Sequence, residues 1–298
     1  MSGREGAGIM GLGDLNEAAR VFTEVRPRLF GIAYRMLGSA TEAEDLVQDV
    51  WLRWQAYDRD TVENPGAFLA TTTTRLAINN LQSARVRRET YIGPWLPEPV
   101  DTSADPYLGA ETGNALEFAV LMLLEKLTPT ERAAYVLREA FDYPYGQIAD
   151  ILRSNEPAVR QWVSRARKHV AGQRKAPVSP SAQRELLTTF ITAARSGDLA
   201  GLEKLFAADV ASITDGNGAK HAARRIVVGA ERVAKFIAAF SPFWWDGVEP
   251  RFVVLNGRPA AVLEHGDEVK AVLALEASGD GIDRLLWMMN QEKIAAVR

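Results

Sequence analysis

The chain has 298 residues, 47% of them apolar, with a formal net charge of −3 and no cysteine. That length allows about two domains with sizeable cores, and the missing cysteine excludes disulfides, thiolate zinc sites and cysteine nucleophiles together. His169, His221 and His265 show no metal-ligand spacing, so neither a metal nor a cofactor is expected. The opening MSGREGAGIMGLG is too glycine-rich for a signal peptide, and no apolar run approaches membrane-spanning length. The expectation is a cytoplasmic protein with no membrane partner.

Charge is unevenly placed. Residues 151–175 carry seven Lys/Arg against the single acid Glu156, and residues 75–88 carry Arg75, Arg85, Arg87 and Arg88 with no acid. From Glu89 to Glu125 there is no Lys or Arg at all. Phosphate binding follows local potential rather than the total. Two basic patches joined by an acidic connector therefore suit a nucleic-acid partner better than the net charge suggests.

In chain order, Val25, Leu29, Ile32, Ala33 and Met36 recur at helical spacing, with Gly38 as the stop. Thr41 is placed to cap the next helix, whose core stripe is Ala43, Leu46, Val47, Val50, Trp51 and Trp54. A third helix starts at Asn64-Pro65 and runs through FLATTTTRLAINNLQSAR, where four threonines lower helix propensity. Residues 92–114 hold four prolines and three glycines, a linker apart from Trp95 and Leu96 in GPWLPEPVD. Helices resume near Ala115, and TPTE at 128–131 is a capping box with proline at the first helical position. Helices then fit residues 129–141, 145–152 and 157–170. A second linker, 173–181, precedes helices over 182–196 and 198–207, the turn DGNG, a further helix, and β-branched runs separated by NGRP, EHGD and ASGDG. Helices first and a meander of strands after them imply a small α+β domain.

EPAVRQWVSRARKHV separates cleanly by face. Val159, Val163, Ala166 and Val170 share one side; Arg160, Gln161, Ser164, Arg165, Arg167 and Lys168 share the other. With the preceding helix YGQIADIL and the turn Ser154-Asn155-Glu156, this describes a helix-turn-helix. Arginine and glutamine on that face suit base edges, while Arg167 and Lys168 suit phosphates. The competing reading is a solvated basic face on an ordinary helical hairpin.

Taken together, these segments resemble sigma factors of the extracytoplasmic-function type. GIAYRMLGSATEAEDLVQDVWLRW resembles region 2, NPGAFLATTTTRLAINNLQSARVRR the minus-ten-reading segment, and LEKLTPTERAAYVLREAFDYPYGQIADILRSNEPAVRQWVSRARKHV region 4. The remainder resembles the J-type subgroup with a fused SnoaL-like domain, marked by WLPEP, DGNG with Ala222–Arg225, and NGRPA. The glycine motif departs from the family pattern: Asn217 replaces a glycine, Ala219 takes the lysine position and Lys220 follows. The resemblance implies a multidomain fold of two all-α sigma domains, residues 14–91 and 115–172. Linkers at 92–114 and 173–181 join these to an α+β SnoaL-like cone-shaped barrel at 182–298.

It also implies roles. Asp45, Gln48, Asp49 and Leu52 form an outward stripe on the second helix, acidic with one apolar anchor, for docking core RNA polymerase. Arg75, Asn79, Asn80, Gln82, Arg85, Arg87 and Arg88 supply a polar track for single-stranded minus-ten DNA, with the 58–64 loop to pocket an extruded base. Ser154, Asn155 and Glu156 join the helix face above for duplex minus-thirty-five DNA. Trp95, Leu96 and Pro97 are expected to insert near Asp215, Gly216, Asn256, Gly257, Arg258 and Pro259, so that no separate anti-sigma factor is needed. Asp215 is also the natural candidate for a general base, with Trp244, Trp245, Phe252 and Trp287 as cavity lining, but a fold does not establish an activity and no catalysis is expected. Two other readings stay open: a one-component regulator whose C-terminal pocket takes a small-molecule ligand, and an isomerase or cyclase attached to a DNA-binding module.

Overall fold

The computed structural model describes residues 12–103, 116–173, 175–295 and 297, excluding the side chains of 12–14 and 84–89. The first helical set is α1 (Leu12–Leu37), α2 (Ala40–Ala56) and α3 (Pro65–Glu89). Gly38 ends α1 at φ 69°, the left-handed geometry glycine adopts without strain. Ser39 then leaves extended, and its Oγ accepts from Glu42 N at 3.0 Å. The cap of α2 is thus Ser39, correcting the expectation of Thr41: the glycine stop makes Ser39 the first extended residue. In α3 each of Thr71, Thr72, Thr73 and Thr74 donates its hydroxyl to the carbonyl four residues back, at 2.8–2.9 Å. The hydroxyls are satisfied inside the helix, which lets Thr73 and Thr74 be buried.

The second set is α4 (Phe118–Leu124), α5 (Pro129–Glu139), α6 (Tyr145–Leu152) and α7 (Glu156–Gln173). The Thr128–Glu131 capping box is formed, and Asn155 Oδ1 caps α7 by accepting from Ala158 N at 3.0 Å. The two helical sets do not have separate cores. Leu29, Ile32, Met36 and Val50 belong to one apolar cluster with Leu121, Val136, Val159 and Val163.

Two helices, α8 (Pro180–Ser196) and α9 (Leu199–Leu205), lead into β1 (Phe206–Asp215) and β2 (Val227–Val228). Helix α10 (Ala230–Trp244) follows, then β3 (Val248–Leu255), β4 (Arg258–His265), β5 (Glu268–Ser278), β6 (Gly281–Met288) and α11 (Gln291–Ile294). The sheet order is β2-β1-β6-β5-β4-β3, with β1 and β6 parallel and every other pair antiparallel. Its edges are β2 and β3, so the cone is open between them. Asn256-Gly257 joins β3 to β4 as a two-residue turn with φ of 53° and 74°, the paired positive values a tight hairpin requires.

Both faces of this sheet are covered. On the inner face Leu263, Leu273, Leu285 and Trp287 pack with Leu187 and Phe190 of α8 and Val233 of α10. On the outer face Ile213, Val262, Val272, Leu286 and Met288 pack with Leu96 of the connector and Phe118 of α4. Because strand side chains alternate, Thr214 points inward and Asp215 outward.

Candidate functional site

The connector between the helical sets is extended and lies between two surfaces. One of its sides meets the outer face of the sheet. Leu96 is fully buried there, worth about 2 kcal/mol of apolar transfer. Its N–H donates to Asp215 Oδ2 at 2.7 Å. The Lys293 ammonium donates to Asp215 Oδ2 at 2.7 Å and to Leu96 O at 2.6 Å, and the Tyr91 hydroxyl donates to Asp215 Oδ1. Burial and the Asp215 charge push the Tyr91 phenol well above its ordinary value. Upstream, Ile92 approaches Gly218 and Gly93 approaches the Arg224 backbone. Asn217, where the family pattern has glycine, takes φ 44°, a geometry asparagine tolerates. A Cβ at Gly216 would come within 2.2 Å of Ala222, so that position requires glycine.

Asn256 connects the most parts. Its Nδ2 donates to Tyr34 Oη (2.6 Å) on α1 and to Leu116 O (2.9 Å) ahead of α4, while Oδ1 accepts from Val100 N (3.0 Å) in the connector. Gly257 N donates to Thr102 Oγ1, and Arg258 holds Glu117 Oε1 through Nη2 at 2.8 Å. Pro97 and Pro259 are buried alongside.

The connector's other side meets the first helical set. Glu98 lies at the start of α2, where its carboxylate accepts from Ser39 Oγ (2.7 Å) and Thr41 N (3.0 Å). An anion is favoured at a helix N-terminus. Glu98 N donates to Gly38 O, and Glu98 O accepts from Tyr34 Oη. Trp95 corrects an expectation. It does not insert into the C-terminal domain beside Leu96; it is half-buried, lying over Gly38 with its ring 4.2 Å from Lys293 Nζ. The flat indole covers a glycine that has no side chain to displace it, and its face attracts the cation. Lys293, Tyr91, Tyr34 and Glu98 were missed in the sequence, since none stands in a local motif.

The enzyme reading needs Asp215 in a cavity, and the geometry places it elsewhere. The interior cavity holds about 40 Å³, lined by Trp244, Trp245, Trp287, Phe236 and Thr214, which is room for about a water molecule. Phe252 does not line it and instead lies under Arg184. A larger cleft, about 280 Å³, separates α4 from the outer sheet, but its main cations are paired: Arg258–Glu117, Arg284–Glu276 and Lys175–Asp283.

The nucleic-acid faces divide into free and engaged parts. On α7, Arg160, Gln161, Ser164, Arg165, Arg167 and Lys168 are all exposed, as are Ser154, Asn155 and Glu156. Arg165 pairs with Glu131 and Arg167 with Glu139, so these two lie on the flank towards α5. Arg160 sits over the Tyr145 ring and pairs with Glu156. Exposed pairs of this kind are weak and exchangeable. On α3, Asn79, Asn80 and Gln82 are exposed, whereas Arg75 donates to the Ile151 and Asp150 carbonyls of α6. The side chains of Arg85, Arg87 and Arg88 lie outside the described residues. Arg59, in the 58–64 loop, donates to the Trp54 and Gln55 carbonyls at the end of α2. Asp45, Gln48 and Asp49 are exposed on α2 beside Leu52, whose side chain stands 55% open to solvent. No helix of the described residues is long and apolar enough to cross a membrane, and no acid or histidine cluster among them could hold a metal ion.

Known proteins give the same assignment. Sigma-70 region 2 matches residues 21–87, and Sigma-70, region 4 matches residues 117–170. ECF RNA polymerase sigma factor SigJ of Mycobacterium tuberculosis is 39% identical over 248 residues, 80% of this chain and 79% of that protein. Probable ECF RNA polymerase sigma factor SigI of the same organism is 31% identical over 92% of this chain and 93% of its own length. The crystal structure of M. tuberculosis SigJ aligns with a TM-score of 0.74 at 30% identity, covering 93% of this chain and 98% of that one. Regions 2 and 4 together imply core RNA polymerase and promoter DNA as partners. The chain belongs to the ECF RNA polymerase sigma factor family.

Proposed function

We propose that this chain is an alternative sigma factor whose C-terminal domain sets its activity by holding the connector between regions 2 and 4. Asp45, Gln48, Asp49 and Leu52 dock a basic, partly apolar surface of core polymerase. Asn79, Asn80 and Gln82, followed along α3 by Arg85, Arg87 and Arg88, receive the single-stranded minus-ten element. Gln161, Arg160, Ser164 and Lys168 read duplex minus-thirty-five DNA, with Arg165 and Arg167 exchanging their carboxylates for phosphates. The chain performs no catalysis of its own and works in the cytoplasm alongside the polymerase. The C-terminal domain takes the place of a separate anti-sigma protein.

One observation carries the regulatory part: residues 91–102 are gripped by Asp215, Lys293 and Asn256 on one side and by Tyr34, Gly38 and Ser39 on the other. A sigma factor that spreads its two regions along a promoter must strain or release that grip. The 40 Å³ interior, filled by tryptophans, supports a structural domain over a ligand sensor. Runoff transcription with purified core polymerase tests the reading. The double variant Asp215→Asn/Lys293→Met removes both buried charges together, so neither is stranded. It should still bind core polymerase and change transcript yield; yield equal to that of the unaltered chain contradicts the regulatory role.

A further inference from the structure

Regions 2 and 4 meet through arginines that end on main-chain carbonyls. Arg75 of α3 donates from Nε to Ile151 O at 2.9 Å and from Nη2 to Asp150 O at 3.0 Å. Arg28 of α1 donates to Phe141 O at 3.2 Å and lies over the Tyr143 ring. Arg132 of α5 reaches back to Met36 O, at the end of α1, at 2.5 Å. In two of these contacts the acceptors belong to the last turn of a helix, where unpaired carbonyls gather partial negative charge.

Arg75 differs from the other two in where it sits. It opens the stretch of α3 that continues through Asn79, Asn80 and Gln82, the exposed face proposed for the single strand. The helix it caps, α6, leads through Arg153 directly into Ser154-Asn155-Glu156, the turn before the duplex-reading helix. A single contact therefore joins both promoter surfaces. Among the described residues Arg75 has no carboxylate partner, so its charge is not neutralised. Its other neighbour is a like charge, Arg153, which terminates α6 in the left-handed conformation at φ 52°. A phosphate oxygen is a stronger, bidentate acceptor for a guanidinium than two neutral carbonyls.

We propose that Arg75 is a latch: it holds region 4 against region 2 in the free chain, and single-stranded promoter DNA frees region 4 by offering a phosphate in place of the α6 carbonyls. This rests on the sigma-factor reading and adds an order of events to it. Strand capture by region 2 and release of region 4 become one coupled step, and the coupling is reciprocal: whatever frees region 4 also raises affinity for the strand.

The chain has no cysteine, so Ala56→Cys on α2 and Ala171→Cys on α7 accept a donor–acceptor dye pair without further change. The 298-residue labelled protein is titrated with a short oligo-dT, whose binding is followed separately by anisotropy. The unaltered chain should start with α2 and α7 close and separate as the oligonucleotide binds. Arg75→Ala should raise the open population without DNA by about tenfold, the equivalent of one charge-assisted hydrogen bond. Arg75→Lys should open similarly yet keep its phosphate contact. Separation that does not change at saturating oligo-dT overturns the latch, as does an Arg75→Ala protein as closed as its parent, even one with a lower melting temperature. Core-polymerase binding by the same labelled protein is measured in parallel. Its loss in the unaltered chain would contradict the sigma-factor reading, whereas intact binding without opening contradicts the latch alone.

Discussion

Asn256→Gly isolates the junction of connector, region 2 and C-terminal domain. Glycine adopts the φ of 53° required at the turn, so the β3–β4 hairpin is not strained, and only the amide is lost. That amide makes three hydrogen bonds, to Tyr34, Leu116 and Val100. At about 1 kcal/mol net for each, with some further cost for stranding buried partners, the loss comes to about 3–4 kcal/mol. If the connector opens locally, this corresponds to a more than hundredfold larger open population. Native-state amide exchange reads it directly. Val100 loses its own acceptor and is uninformative; Leu96 is diagnostic, because its acceptor, Asp215, is untouched. Leu96 exchange should rise by about a hundredfold, while Val262 and Leu273 in the sheet stay protected. Unchanged protection at Leu96 refutes a connector held as one unit.

Other outcomes follow from the same contacts. Lys293→Met alone strands the buried Asp215 carboxylate and should lower stability by about 3 kcal/mol or more in thermal melts, while adding Asp215→Asn should restore most of it. Leu52→Asp changes an exposed side chain, so the melting temperature should stay within a degree or two while core-polymerase binding is lost in a pull-down. In duplex binding, Gln161→Ala should relax base preference at one position. Lys168→Ala should weaken all sequences alike and reduce the salt slope by about one. Tyr91 titrates higher in the folded chain than its ordinary value of 10, through burial and the Asp215 charge. Its contribution is therefore complete below pH 10 and lost as pH rises beyond it. Tyr91→Phe should flatten that part of the alkaline stability profile.

The helical half was largely legible because its cores are periodic. The stripe Val159, Val163, Ala166 and Val170 and the Thr128–Glu131 box can be read residue by residue, and all four stripe residues are buried. What could not be read is pairing between distant segments. Glu98 looked like one more acid in a soluble connector, yet it caps α2 across 59 residues of sequence. Lys293 looked like a surface lysine near a terminus until its partner, Asp215, was brought beside it by the β1–β6 pairing. Trp95 and Leu96 were rightly singled out as residues a linker has no use for, but alternation along an extended segment sends neighbours to opposite sides. Leu96 took the sheet and Trp95 took Gly38. One available signal was overlooked. AAVL, AVLAL and LLWMM lack the polar alternation of a sheet with a wet face, which marks strands covered on both sides.

The most direct measurement is initiation itself. Purified core polymerase is given genomic fragments from the chain's own host, with and without the 298-residue protein, and the transcript starts are mapped. Defined starts that require the chain, lie downstream of a shared pair of upstream elements and shift in yield with Asn256→Gly are the predicted result. Core polymerase that ignores the chain, or starts unaffected by loosening the connector, would contradict it.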